Sequence, residues 1–205
     1  MKILFLSDNF PPENNAPSTR TFEHCKVWVE KGADVTVITG FPNFPNGKVF
    51  DGYQNKLFSS EKIEGINVIR VWTYIAPNKG FFKRTVDYVS YSLVSFIFGL
   101  FQSFDVVIGT SPQFFTAISA RLLSFFKCRP WIMEVRDLWP ESISAVGLID
   151  KTSLIYKFLS YVENRLYHSA RGVVVVTDSF KNYLLNKGFS ENKIFVIKNG
   201  YIKDF

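Results

Sequence analysis

A series of short, nearly solid apolar runs limits this chain's fold more than any other feature. Residues 3–6, 35–39, 105–109, 131–135, 172–176 and 194–197 carry almost no polar alternation, and 67–72 is interrupted by Asn67 and Arg70. Strands of this kind are buried on both faces, as in a parallel sheet covered by helices. Helical patterns fall between them. Residues 19–30 turn Phe22, Cys25, Trp28 and Val29 inward, with Gly32 just past the end. Residues 84–104, 112–126 and 179–186 also read as helices. The clearest is 153–168, where Leu154, Ile155, Phe158, Leu159, Val162 and Leu166 repeat at helical spacing. This alternation predicts an α/β fold: a doubly wound, mostly parallel, Rossmann-like sheet with helices on both faces. Ligands of such sheets sit beyond the carboxyl ends of the strands, so chemistry is expected in the loops after Leu6, Thr39, Gly109, Val135 and Val176.

A chain of 205 residues, 47% hydrophobic, suits one large domain. Its 22 Phe and 9 Tyr are many, and some are expected to line an apolar surface or an interface. Residues 88–104 carry no formal charge, but serines, tyrosines and Gln102 dilute the run. Its place between two strands predicts a crossover helix rather than a membrane span. Lys79, Lys83 and Arg84 precede it, so a peripheral contact with anionic lipid through 84–104 is the expected use of an outward apolar face. The net charge of +6 fits a phosphate-bearing partner. No arginine-rich stripe or nucleic-acid motif accompanies it, so nucleic acid is not expected. Cys25 and Cys128 are expected to be buried free thiols, and neither a metal cluster nor a cofactor box is visible. Residues 1–8 turn polar too soon for a signal peptide, which predicts a cytoplasmic enzyme.

Two segments carry candidate chemistry. The first is Ser7-Asp-Asn-Phe-Pro-Pro-Glu-Asn-Asn-Ala-Pro-Ser-Thr-Arg20, which lacks the glycines of a dinucleotide fingerprint or a P-loop. It sets Ser18, Thr19 and Arg20 at a predicted helix start, where backbone N–H groups and a guanidinium can take a phosphate. Alternatively, Ser18 caps the helix and Arg20 faces water. The second is Glu134, Arg136 and Asp137 at the end of a predicted core strand. A carboxylate there can hold sugar hydroxyls or act as a base, and an arginine can meet phosphate or brace the carboxylate. A purely structural pair is the competing reading. Glu141 follows Pro140, which leaves its direction open. His24 and His168, the only histidines, are expected to be structural.

Ser7-Asp-Asn-Phe-Pro-Pro-Glu13, Thr39-Gly-Phe-Pro-Asn-Phe-Pro-Asn-Gly47, Arg70-Val-Trp72, Ala76-Pro-Asn78, Thr110-Ser-Pro112, Glu134-Val-Arg-Asp-Leu-Trp-Pro-Glu-Ser142 and Asn199-Gly200 resemble the N-terminal half of family 4 glycosyltransferases. The branch that builds bacterial capsular and O-antigen polysaccharides is the most similar. The resemblance implies one half of a GT-B fold, with residues 1–198 as a Rossmann-like acceptor-side domain and 199–205 as the start of an interdomain linker. A donor-binding C-terminal half would lie outside these residues, and the chain alone would have low activity.

The implied reaction is retaining transfer of a sugar from a nucleotide-sugar to a lipid-diphosphate-linked acceptor, without metal or other cofactor. It would occur at the inner face of the cytoplasmic membrane. The resemblance brings Asn14, Asn15, Ser18 and Arg20 to donor phosphates or acceptor, Asp137 to the reacting sugar, Thr177 and Ser179 to the cleft, and Asn199 to the linker turn. Asn14 and Asn15 stand where many members of the wider family have glycines. Two rivals remain: an enzyme resembling nucleotide-sugar epimerases, and a non-catalytic binding subunit that needs a partner carrying the donor domain.

Overall fold

The computed structural model describes residues 1–75, 81–111 and 114–200. The Ala76-Pro-Asn78 string, Lys79, Pro112 and residues 201–205 of the expected linker lie outside them. The chain runs β1 (Lys2–Leu6), α1 (Ala16–Glu30), β2 (Asp34–Gly40), β3 (Phe58–Ile63), β4 (Ile66–Val71), α2 (Phe81–Leu100), β5 (Val106–Thr110) and α3 (Phe114–Lys127). It continues β6 (Trp131–Val135), α4 (Glu141–Ala145), α5 (Leu154–Ser169), β7 (Gly172–Val175), α6 (Asp178–Asn186) and β8 (Ile194–Val196). One eight-stranded sheet results, ordered β3-β4-β2-β1-β5-β6-β7-β8. All neighbours are parallel except β3 and β4. The predicted doubly wound sheet is present.

Strand parity divides the core. Leu4, Leu6, Val107, Met133, Val135, Val173 and Val175 pack with Tyr91 of α2, Ala117 and Leu123 of α3, Leu166 of α5 and Leu184 of α6. Ile3, Phe5, Val35, Val37 and Val68 point the other way, onto Cys25, Phe22 and Trp28 of α1. The chain goes from β1 outward to β2 and β4, then returns to β5 on the other side of β1. That reversal makes the carboxyl ends of β1 and β5 a topological switch point, the position at which sheets of this kind take their ligands in a crevice.

Several expectations are corrected. The first helix begins at Ala16 rather than residue 19, because Asn15 caps it: its Oδ1 accepts the Ser18 N–H at 2.9 Å. Pro17 fits in the first turn, where an N–H is not needed. Neither Ser18 as the cap nor Arg20 in water survives; both side chains are buried. An additional antiparallel edge strand, β3, pairs with β4 through Glu64 and Gly65, both at positive φ as a two-residue hairpin turn requires. The crossover helix spans Phe81–Leu100, not 84–104, and Tyr91 pins it to the sheet by donating to the Ile38 carbonyl at 2.7 Å. Among the described residues no helix is long and apolar enough to cross a membrane. Cys25 is buried as expected, but Cys128 is exposed in the turn after α3.

Candidate functional site

β5 and β6 deliver neighbouring side chains to the switch-point crevice. Thr110 ends β5 and pairs in register with Glu134 of β6. Its hydroxyl donates to Glu134 Oε2 at 2.6 Å. The other carboxylate oxygen accepts Arg20 Nε at 3.0 Å, and the Arg20 and Glu134 side chains are both almost completely buried. The rest of the Arg20 guanidinium reaches the chain leaving β8. Nη2 donates to the Ile197 carbonyl at 2.8 Å, and Nη1 donates to the Lys198 carbonyl at 3.2 Å and to Asn199 Oδ1 at 3.0 Å. Helical spacing sets His24 one turn beyond Arg20, with Nδ1 3.9 Å from Glu134 Oε1. Burial and the nearby Arg20 charge hold the His24 pKa below its usual value.

Directly after β6 the backbone turns over Ser111, whose Oγ accepts the N–H groups of Arg136 at 2.7 Å and Asp137 at 3.3 Å. The Arg136 Nε and Nη1 atoms are buried with no hydrogen-bond partner in the protein. Desolvation lowers the Arg136 pKa, with Glu134 opposing the shift. Asp137 is exposed at the lip, and partial loss of hydration raises its carboxyl pKa against the pull of Arg136. Glu141 turns away from the crevice: its Oε1 accepts the hydroxyls of Tyr183 and Tyr156 and Lys187 Nζ, tying α4 to α5 and α6.

The first loop forms the other wall. Glu13 is buried, and its Oε1 accepts the N–H groups of Asn43 and Phe44, each at 2.8 Å, which clips this loop to the two-proline loop. Burial pushes its carboxyl up to about 7, despite those two bonds. The fully buried Arg70 closes the clip by donating to Glu61, the Gly40 carbonyl and the Pro11 carbonyl. On α2, burial first and Asp8 second raise the Asp87 carboxyl to about 8.

The predicted site residues therefore fall into distinct settings. Glu134, Arg20 and Asn199 form one network, with Arg136 and Asp137 beside it. Asn15 is occupied as a helix cap, and Ser18 Oγ is buried without a partner. Asn14 is exposed on the first loop. Thr177 caps α6 by accepting the Phe180 N–H at 3.1 Å, and Ser179 is exposed in that helix's first turn. Sequence reasoning did not select Glu13, Thr110, Ser111 or Asp87 and left His24 structural. The four-residue step from Arg20 to His24 was the available signal for the last. Among the described residues no group of three or more His, Cys, Asp or Glu side chains could hold a metal ion.

Comparison with known proteins fits this architecture. WcaI of Escherichia coli (strain K12), named as a colanic acid biosynthesis glycosyl transferase, is 26% identical over 201 residues. The match takes in 95% of this chain and 49% of WcaI, so the chain spans about half the length of that relative. Sucrose-phosphate synthase from Thermosynechococcus elongatus superposes with a TM-score of 0.65 at 10% identity, over 98% of this chain and 48% of that one. Anabaena Alr3699/HepE, solved in complex with UDP-glucose, gives 0.57 at 14% identity, over 98% and 44%. The two structures share the fold, the Rossmann-like half of a GT-B architecture. The model of the glycosyl transferase 4-like domain matches residues 15–200, and the chain belongs to that family.

Proposed function

We propose that this chain is the acceptor-side half of a retaining glycosyltransferase. The reaction moves a sugar from a nucleotide-sugar to a lipid-diphosphate-linked acceptor in cell-surface polysaccharide synthesis, at the cytoplasmic face of the membrane. The observation that carries this reading is Arg136, with two N–H-bearing atoms buried and unpaired beside the switch-point crevice. Unpaired buried donors are costly, and a phosphate oxygen drawn in beside them would relieve that cost with a charge-assisted hydrogen bond. Asp137, exposed next to it, is assigned to orienting a sugar hydroxyl. Glu134 and Arg20, whose polar atoms are already occupied, brace the site, with Asn15 and Ser18 shaping the wall and Asn199 the exit. Asn14, Thr177 and Ser179 are assigned to substrate contact. The nucleotide-sugar would be held mainly by a second, donor-side half. Within 84–104, Leu93 and Ile97 on the outward face of α2 and Phe101 just past its end are exposed and support a peripheral membrane contact.

The test is binding of a short-chain polyprenyl-diphosphate saccharide to the 205-residue chain, followed by Trp fluorescence or NMR. Arg136→Gln should weaken binding about tenfold or more with the fold intact, as loss of a charge-assisted phosphate contact implies. Asp137→Asn should weaken the saccharide-bearing ligand but not its unglycosylated diphosphate. Equal binding by wild type and Arg136→Gln would overturn the assignment.

A further inference from the structure

The apolar repeat of α5 does not all face the core. Leu159 and Val162 pack inward and Leu166 is buried, but Leu154, Ile155, Phe158 and Tyr161 point outward. With Val146 and Leu148 of the preceding turn they form a set in which every side chain is 60% exposed or more. A helix apolar on both sides is ordinarily covered on both. Contiguous exposed apolar surface of this kind marks a contact face.

Its place in the fold is informative. β6 delivers Arg136 and Asp137, α4 follows at once, and the exposed turn leads into α5, which runs back towards the start of β7. The first two turns of α5 therefore stand at the carboxyl end of the sheet, the same end that carries the candidate site. Exposed Lys151, Lys157 and Arg165 accompany the apolar residues. Of the nearby carboxylates, Glu163 accepts the Tyr167 hydroxyl at 2.7 Å and Glu141 faces Tyr183 and Lys187, while Asp150 is exposed and accepts only from the neutral Thr152, so the three cations outnumber it. Pairing two copies through this face would bring cations against cations. A bilayer carrying anionic headgroups satisfies both components, with apolar side chains at the acyl boundary and lysines at the phosphates.

We propose that the turn at 146–148 and the first two turns of α5 dock on an anionic phospholipid surface, holding the mouth of the site against the membrane. This rests on the reading of a lipid-linked acceptor, which it supplies with a direction of approach. The experiment is co-sedimentation of the chain with vesicles of phosphatidylcholine alone or with about one-third phosphatidylglycerol, without any saccharide. Wild type should bind the anionic vesicles, and Leu154→Ser/Phe158→Ser should lower its partition coefficient about tenfold or more. Lys151→Glu/Lys157→Glu should reduce binding to the anionic vesicles selectively. These exposed positions should leave circular dichroism and Tm unchanged. Unaltered binding in both folded variants would overturn the proposal. So would binding abolished only by Leu93→Ser/Ile97→Ser on α2. Absence of vesicle binding would also overturn it, and a dimer converted to monomer by the α5 substitutions would then give the face to a second copy. Loss of Arg136-dependent acceptor binding would instead count against the transferase reading, whatever the vesicles show.

Discussion

Arg20 and Glu134 are separated by 114 positions and meet in a nearly dry setting. Such a pair is costly to break from one side, because the remaining charge stays buried without its counterpart. Glu134→Ala should therefore destabilise the fold by about 3–5 kcal/mol in urea unfolding. Arg20→Ala should also loosen the exit from β8, where the guanidinium holds the carbonyls of Ile197 and Lys198. Trypsin should then cut after Lys198 faster than in wild type, at a denaturant concentration where both remain folded. Equal cleavage would mean that other contacts secure the exit. Of this network the sequence pointed to Arg20, Glu134 and Asn199, but neither to Thr110 nor to any pairing. Glu134, Arg136 and Asp137 stood together on an apolar strand, whereas the inward turn of Glu134 and its partners Arg20 and Thr110 depend on which strands lie side by side.

Elements were legible where burial dictated composition. β6 and β7 are solid apolar because helices and neighbouring strands enclose them, and both were expected within a residue of where they lie. β3 was not, because Ser59, Glu61 and Lys62 belong to a half-exposed edge strand whose composition is that of a loop. The start of α1 was misjudged for a different reason: Asn15, Ser18 and Thr19 are all plausible caps, and only the backbone geometry selects Asn15. Asn15→Ala should cost about 1 kcal/mol of stability and Asn15→Ser much less, since serine retains the capping oxygen. A loss of equal size in both would point instead to the Asn15 amide, which donates to Asn9 Oδ1 in the first loop. Helix α5 gives the converse lesson. Its spacing was helical, but periodicity alone did not reveal that part of the stripe faces outward.

At the scale of the whole molecule, buried carboxyls lie both under the first loop and between α5 and α6. Burial is the leading cause of the shift in each case, raising Glu13 and Glu163 to about 7 and Asp87 to about 8. Once pH exceeds the unfolded carboxyl range, the folded chain still binds these protons and the unfolded chain does not. Their contribution is therefore fully present below about pH 4 and is lost as pH rises towards 7–8. Glu163 alone should account for on the order of 1–3 kcal/mol across that interval. His24, with its lowered pKa, works in the opposite sense, since its contribution is lost as pH falls below the usual imidazole value. A comparison within one background separates the two. Glu163→Gln keeps an acceptor for the Tyr167 hydroxyl and removes the titration. Urea midpoints measured from pH 5 to pH 8 should fall for wild type relative to Glu163→Gln, with the gap opening most steeply between the unfolded and folded carboxyl ranges, at about pH 6, and levelling off above about pH 7. Parallel curves would mean that Lys187, 3.4 Å from Glu163 Oε2, already holds the carboxylate ionised throughout.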